Sequence, residues 1–409
     1  MNSVNQSLIA TIAFGFLMTL SSGLGQTFLI SLFNPELRNA FALSHGDIGG
    51  LYFAGTLLSA LTVVWVGKLI DQIDLRLYTG LVTIGLALAC STMASVNSTT
   101  TLIVAFFMLR LFGQGLSGHT GITTVSRVAA AYRGRSVSVA GLGYSSAEIL
   151  LPVGTLMMIG SIGWRSTWQV FAILEIALIA VVAQLLLRHI SVNQRDSNTV
   201  DTDSDSWTRN QVIKDKRFWR IVPAIFSPPV ISTALFFHQQ NLAISKGFTL
   251  TYWATGIAAY SVSAVLASLV SGILVDRYSG AMVVRFYLIP FIASVLIAVW
   301  INTQALPFIY YALIGATVGI GTPSVSALWL ELYGTRHIGA IRALTHACMV
   351  FGTALGPFIF GYLLDTGVGW NMLLCASAIW MIIASVLLIT TKLHTTSASN
   401  TAVSQYSAN

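Results

Sequence analysis

The 409-residue sequence predicts an all-α membrane protein in which twelve transmembrane helices form two pseudo-symmetric six-helix bundles. Three observations predict it. Hydrophobic residues make up 55% of the chain, charged residues only 9%, and mean hydropathy is +0.77, whereas an ordinary soluble domain carries roughly 25% charged residues. Apolar runs long enough to cross hydrocarbon recur along the chain without the strict alternation of barrel strands, so backbone polar groups must be paired within helices. Finally, Gly67 and Gly272, Asp71 and Asp276, Gly134 and Gly339, and Pro152 and Pro357 are each 205 residues apart. One unit is written twice, which implies two half-bundles around a central site.

The spans follow in order from a requirement of about 20 apolar residues each. Span 1 covers 8–33 and is too long for a signal-peptide core of about 7–15 residues, so it is expected to stay. Span 2 (47–68) ends at Gly67, span 3 covers 77–97, and span 4 (102–126) carries Arg110. Span 5 (136–160) carries Glu148 and Pro152, and span 6 (166–188) completes an N-terminal bundle over 1–190. Residues 191–217 are rich in Asp, Ser, Thr, Asn, Lys and Arg and suit a solvated linker. Span 7 (219–243) holds Pro223, Pro228 and Pro229, which loosen or kink it. Spans 8 to 12 are 253–275, 282–302, 306–330, 339–364 and 370–391, giving a C-terminal bundle over 218–392 and a disordered tail over 393–409.

The net charge of +7 does not form a nucleic-acid patch, because its distribution follows the membrane. Of the 21 Lys and Arg, all but Arg38, Arg165, Lys246 and the intramembrane Arg110 fall in the loops and helix ends on the side of the termini. The positive-inside rule puts both termini and the linker in the cytoplasm. Cys90, Cys348 and Cys375 lie in apolar runs without metal-type spacing, so no disulfide framework, metal or cofactor is expected. No His-Glu-x-x-His, Gly-x-Ser-x-Gly or clustered Asp and His set supports an enzyme. Gly113-Gln-Gly115-Leu-Ser-Gly118 matches the dinucleotide fingerprint as a string, but inside a membrane helix it reads as a close-packing ridge.

Two charges lie where charge is expensive. Arg110 is about eight residues into span 4, roughly 12 Å deep, and Glu148 is about twelve residues into span 5, roughly 18 Å from the opposite face. A charge at such depth costs about 2.5–3.5 kcal/mol on insertion scales and marks a pathway or a buried pair. In a core about 30 Å thick the two reach a common level, and the loop joining their spans is short, so they are placed to meet or share a ligand. Gln114 is one turn from Arg110 and Tyr144 one turn from Glu148 on the same helix faces. At the repeat offset Glu148 maps to Thr353 and Arg110 to Gly315 or Ala316. Charge confined to one copy suits substrate or proton handling, while a structural ion pair is the competing reading.

On these residues the chain resembles the major facilitator superfamily of secondary transporters. Gly67, Asp71 and Arg76 match the family hallmark between helices 2 and 3, with Gln72 where a basic residue is usual and Asp74 where a Gly is usual; the second copy keeps Gly272, Asp276, Arg277 and Gly280. A carboxylate near a facing helix N-terminus is favoured by about 0.3–1 kcal/mol. Asp71 near Gly339 and Asp276 near Gly134 would thus form a cytoplasmic gate. Arg110-Leu-Phe-Gly-Gln114-Gly115 resembles a family motif implicated in proton or substrate coupling, with its Gln-Gly one position late. Leu151-Pro152 lacks the Gly before Pro of family exporters, while Gly356-Pro357 has it.

The resemblance implies Gln26, Thr27, Tyr52, His238 and Gln239 as cavity-lining candidates, and Glu175 as a deep residue on a scaffold helix. The expected function is a monomeric, proton-coupled carrier in a cytoplasmic or inner membrane that moves a small, monocarboxylate-like organic anion inward, the anion being inferred from the one deep Arg110. The alternative within this class is efflux of drug-like or amphipathic compounds by proton antiport.

Overall fold

The computed structural model describes residues 3–129, 133–190, 207–334 and 337–393. Among them eleven helices are long and apolar enough to cross a membrane, and a twelfth apolar helix, Ile289–Trp300, is shorter. In chain order the helices are α1 (Ser3–Ser21), α2 (Thr27–Ile30), α3 (Asn34–Phe41), α4 (His45–Val66), α5 (Leu75–Ala94), α6 (Thr99–Met108), α7 (Gly118–Val128), α8 (Arg133–Ile162), α9 (Trp164–Leu174) and α10 (Val181–Leu187). The second half supplies α11 (Arg209–Lys214), α12 (Lys216–Phe237), α13 (Gln239–Ser245), α14 (Leu250–Tyr278), α15 (Gly280–Val283), α16 (Ile289–Trp300), α17 (Leu306–Tyr333), α18 (Ile338–Asp365) and α19 (Trp370–Thr390).

The helix ends are written in short polar signals. Ser44 accepts from the Asp47 amide while the Asp47 carboxylate accepts from the Ser44 amide, a reciprocal cap that starts α4. Asp74 takes the Arg76 and Leu77 amides to start α5. The other end of α5 is closed by Arg165, whose Nη1 and Nη2 each lie 2.8 Å from the carbonyls of Ala94 and Val96. That contact gives a structural role to one of the few basic residues remote from the termini. Large apolar side chains such as Trp65, Ile273 and Met372 stand exposed on the helix surfaces, as residues facing lipid tails do.

Several spans depart from continuous helices. Span 1 breaks between α1 and α2 through a 3₁₀ turn, Ser22–Gly25, and an extended Gln26. Span 4 joins α6 to α7 through a π-helical stretch, Leu109–Ser117. Span 9 is α15, a turn and the twelve-residue α16, whose first turn contains Pro290, a residue that starts a helix well and continues one badly.

The chain forms two compact units. One takes the described residues up to Ile190 together with Thr233–Ala258 and Ala354–Gly367; the other takes the described part of Ser197–Ser232, with Ala259–Thr353 and the described residues from Val368. Thus the first unit contains spans 1 to 6 with segments of spans 7, 8 and 11. Of the expected linker, 191–206 lies outside the described residues, as do 394–409 of the expected tail. The remainder of the linker is ordered: Trp207 donates its amide to the Tyr333 carbonyl at 2.9 Å, α11 follows, and Asp215 pairs with Arg217 at 2.9 Å. A ring contact between Trp207 and Tyr333 holds this stretch to the second unit.

Candidate functional site

The polar cluster of the first unit is built where two irregular helices face each other. Gly25 closes the 3₁₀ turn of span 1 and packs on the π-helical stretch of span 4. A Cβ on Gly25 would overlap the Leu109 carbonyl and fall 2.5 Å from the Gln114 amide nitrogen, and one on Gly113 would fall 2.6 Å from Gly25 Cα. Only glycine at both positions lets the backbones touch. Breaks of this kind, flanked by half-helices, are how membrane carriers present backbone groups to a ligand, and π-helical turns gather at functional sites.

Arg110 projects into this junction and is 1% exposed. Its Nη1 donates to the Gly25 carbonyl at 3.2 Å, and the guanidinium carbon lies 5.4 Å from the Tyr52 ring centroid, within cation–π range. Its Nε is buried and makes no hydrogen bond with the protein. A guanidinium has five N–H donors, so a single backbone acceptor leaves most of them unspent.

The other sequence candidates fall around this core. Tyr52 is fully buried and bonds Thr27 Oγ1 at 2.7 Å, while Phe28 stacks edge-on against Tyr144 with ring centroids 6.2 Å apart. Gln26 is the extended residue at the break, and Gln114 adjoins Gly25 through its backbone. Glu148 is 3% exposed on α8, one turn from Tyr144. Arg110 itself turns to Gly25 and Tyr52, and its contacts do not include a salt bridge to Glu148.

Glu175 is 1% exposed at the start of a second π-helical stretch, Glu175–Ala180, and receives Ser21 Oγ at 2.9 Å from each carboxyl oxygen. Ser21 is the last residue of α1 before the break, so Glu175 is connected to the same junction from behind. Sequence reading did not single out Ser21, which with Ser22 directly precedes Gly23-Leu-Gly25.

His238 and Gln239 pack elsewhere. They sit at the joint between α12 and α13, with His238 Nε2 on the Pro357 carbonyl at 2.8 Å and Gln239 Nε2 on Ser31 Oγ at 2.8 Å. Both are buried, in a layer where segments from the second half of the chain lie on α3 and α4.

The Major Facilitator Superfamily profile matches residues 15–258 and 240–406. The chain belongs to this superfamily. It is therefore a transporter rather than an enzyme, and a multi-pass membrane protein. No curated protein sequence matches the chain. Solved structures share the fold. A bacterial homolog to the human lysosomal transporter Spinster, in an inward-facing and occupied conformation, superposes with a TM-score of 0.70 at 12% identity, covering 93% of this chain and 95% of that one. The nucleoside transporter NupG superposes with a TM-score of 0.69 at 15% identity, covering 95% and 97%.

The superfamily hallmark can be followed residue by residue. In this superfamily member Asp71 forms an ion pair with Arg127 at the end of α7, both partly exposed, within the first unit. Arg76 contributes its backbone: its amide goes to Asp74 and its carbonyl accepts from Gln184 Nε2 at 2.8 Å. Gly67 faces His119, whose Nε2 would lie 4.0 Å from a Cβ there. In the second copy Arg277 lies over the Tyr278 ring, Gly272 has open space around it, and Asp276 follows in the same helix. Gly134 lies in the first turn of α8 and Gly339 in the first turn of α18. Sequence reading missed Glu331, whose carboxylate caps α15 by accepting from the Gly280 and Ala281 amides.

The second unit contains an apolar cavity of about 750 Å³ between α14, α15 and α17, bordered by Leu266, Val270, Tyr278, Phe286 and Tyr287. Among the described residues no group of three or more His, Cys, Asp and Glu is placed to hold a metal ion.

Proposed function

We propose that this superfamily member is a proton-coupled uptake carrier for a small organic anion, with a monocarboxylate as the archetype. The observation that carries the reading is Arg110: a buried guanidinium with one backbone acceptor, an unbonded Nε and an aromatic face on Tyr52. A buried cation whose donors are unspent is unfavourable alone and becomes favourable when a carboxylate enters and accepts two parallel N–H bonds. The ligand thereby completes the site. Tyr52, Thr27, Gln26, Gln114 and Tyr144 surround the same junction with hydroxyl and amide groups suited to orient it.

Glu148, buried one turn from Tyr144, is the proton-exchanging carboxyl in this reading. Proton and anion together bias the rocking of the halves around a midplane site, as population shift requires when two ligands favour one conformation. Charge bias between loops supports an orientation with both termini cytoplasmic, in a cytoplasmic or inner membrane, and the working unit is a monomer. The Asp71 to Arg127 pair, with Gly67, Arg76 and their second-copy counterparts Gly272, Asp276 and Arg277, serves the cytoplasmic gate.

The test is thermal stabilisation of purified protein by a panel of small acids and drug-like cations, repeated with Arg110→Ala. Acids that stabilise the parent and not the variant support the reading. Equal stabilisation of both removes Arg110 from the site, and stabilisation by cations alone favours drug efflux. In proteoliposomes Glu148→Gln is expected to abolish gradient-driven accumulation while leaving substrate exchange measurable; accumulation at the parent rate would remove Glu148 from coupling.

A further inference from the structure

The end of the first unit away from the chain termini is closed by a layer centred on His45, the first residue of α4. Two donors converge on one atom of its ring: Arg38 Nη1 lies 2.9 Å and Asn241 Nδ2 3.0 Å from His45 Nε2. A guanidinium has no acceptor, so Nε2 must accept, and the imidazole in this arrangement is neutral with its proton on Nδ1. The His45 amide donates to Asp365 Oδ1 at 3.0 Å and the Gly46 amide to Asp365 Oδ2 at 2.6 Å, so the last residue of α18 caps the first turn of α4. The His238 ring lies 5.6 Å from the His45 ring and is tied to Pro357 of α18. One residue therefore joins α3 through Arg38, α13 through Asn241 and α18 through Asp365. The titratable and charged groups that face it are Arg38, Asp365 and His238.

We propose that His45 is the proton-receiving residue of this layer, and that protonation of Nε2 unlatches α4 from α3 and α13 while Asp365 keeps α18 on the first turn of α4. The proton occupies the lone pair that both donors use, so two hydrogen bonds are lost at once. It also puts an imidazolium 2.9 Å from a guanidinium, turning an attractive contact into a like-charge one. Asp365 remains bonded to the backbone of the same turn and does not reach Nε2, so its carboxylate does not restore the lost bonds. The inference deepens the proton-coupled reading and rests on it: with the termini cytoplasmic, the latch faces the side from which protons enter during uptake.

The test is a spin-label distance between Asn39→Cys and Thr366→Cys, both at exposed positions, in full-length protein whose native Cys90, Cys348 and Cys375 are replaced. The distance is followed from about pH 8 to about pH 5, which brackets the ordinary imidazole value of about 6.5. The parent should shift to a longer distance on acidification. His45→Gln, whose amide oxygen accepts without titrating, should hold the short distance throughout, and His45→Lys should show the long distance at both ends. A parent distance that ignores pH, a His45→Gln variant that responds as the parent does, or one open at both ends would each overturn the inference. No substrate is present, so the outcome is separable from the transport reading. A pH-insensitive latch in a protein that still accumulates substrate with protons sinks the latch alone, and a working latch without gradient-driven uptake sinks the coupling.

Discussion

Replacing Arg110 with Met in ligand-free protein separates a substrate-binding arginine from an architectural one. Met keeps most of the volume and removes the charge. The structure shows what is lost: one hydrogen bond from a charged donor to the Gly25 carbonyl, about 1.5–3 kcal/mol, and a cation–π contact with Tyr52, about 0.5–2 kcal/mol. What is regained is the cost of holding an uncompensated charge at depth, about 2.5–3.5 kcal/mol on insertion scales, and the orphaned Nε. These effects nearly cancel, so the ligand-free melting temperature should stay close to the parent's. If instead Arg110 were half of a structural ion pair, removing it would leave a buried carboxylate alone and cost about 3–5 kcal/mol. Thermal unfolding of both proteins in the same detergent, monitored by intrinsic tryptophan fluorescence, decides between them. A large fall in stability would refute the reasoning. So would retention of acid-induced stabilisation in Arg110→Met, because loss of a carboxylate contact worth about 3 kcal/mol should weaken binding by about two orders of magnitude.

Gly25→Ala should abolish ligand stabilisation even though the residue offers the junction backbone alone, because its Cβ would overlap the Leu109 carbonyl; a ligand response unchanged by this methyl would show that the junction is not the site. Asp71→Asn should change unfolding free energy by less than about 1 kcal/mol, since its pair with Arg127 is largely solvated at 57% and 44% side-chain exposure. Its effect belongs in transport rate, so a large stability loss with normal transport would contradict a gating role. Glu175→Gln should leave stability near the parent's, because the amide oxygen still accepts from Ser21, whereas Glu175→Leu removes that acceptor; equal melting temperatures for the two variants would show that the Ser21 contact contributes nothing.

The helical frame was legible because apolar content and length decide it. The expected 306–330, 339–364 and 370–391 correspond to Leu306–Tyr333, Ile338–Asp365 and Trp370–Thr390. The discrepancies have local causes. Span 1 reads as one apolar run because Gly, Ser and Leu are all tolerated in membrane helices; only contact with Leu109 and Gln114 turns Gly25 into a break. Span 9 is cut by Pro290, a signal present in the sequence but outweighed there by a continuous apolar window. The ordered linker residues Trp207 and Asp215 depend on Tyr333, more than a hundred residues away, which no local pattern announces.

The site was half legible. Depth and charge singled out Arg110 and Glu148, and turn spacing added Gln114 and Tyr144. Sequence could not show that Arg110 would choose the Gly25 carbonyl, since a backbone acceptor exists at every residue and only the break exposes this one. The His45 layer was invisible for a related reason. Its partners Arg38, Asn241 and Asp365 come from three helices, and the capping contact joins residues 320 apart in the chain.

The most direct measurement is a structure of the protein bound to whichever panel acid stabilises it most. The account predicts the carboxylate at the junction of Gly25 and the Leu109–Ser117 stretch, with oxygens about 2.7–2.9 Å from the Arg110 guanidinium. An acid bound elsewhere, with Arg110 still held by Gly25 and Tyr52 alone, would contradict it.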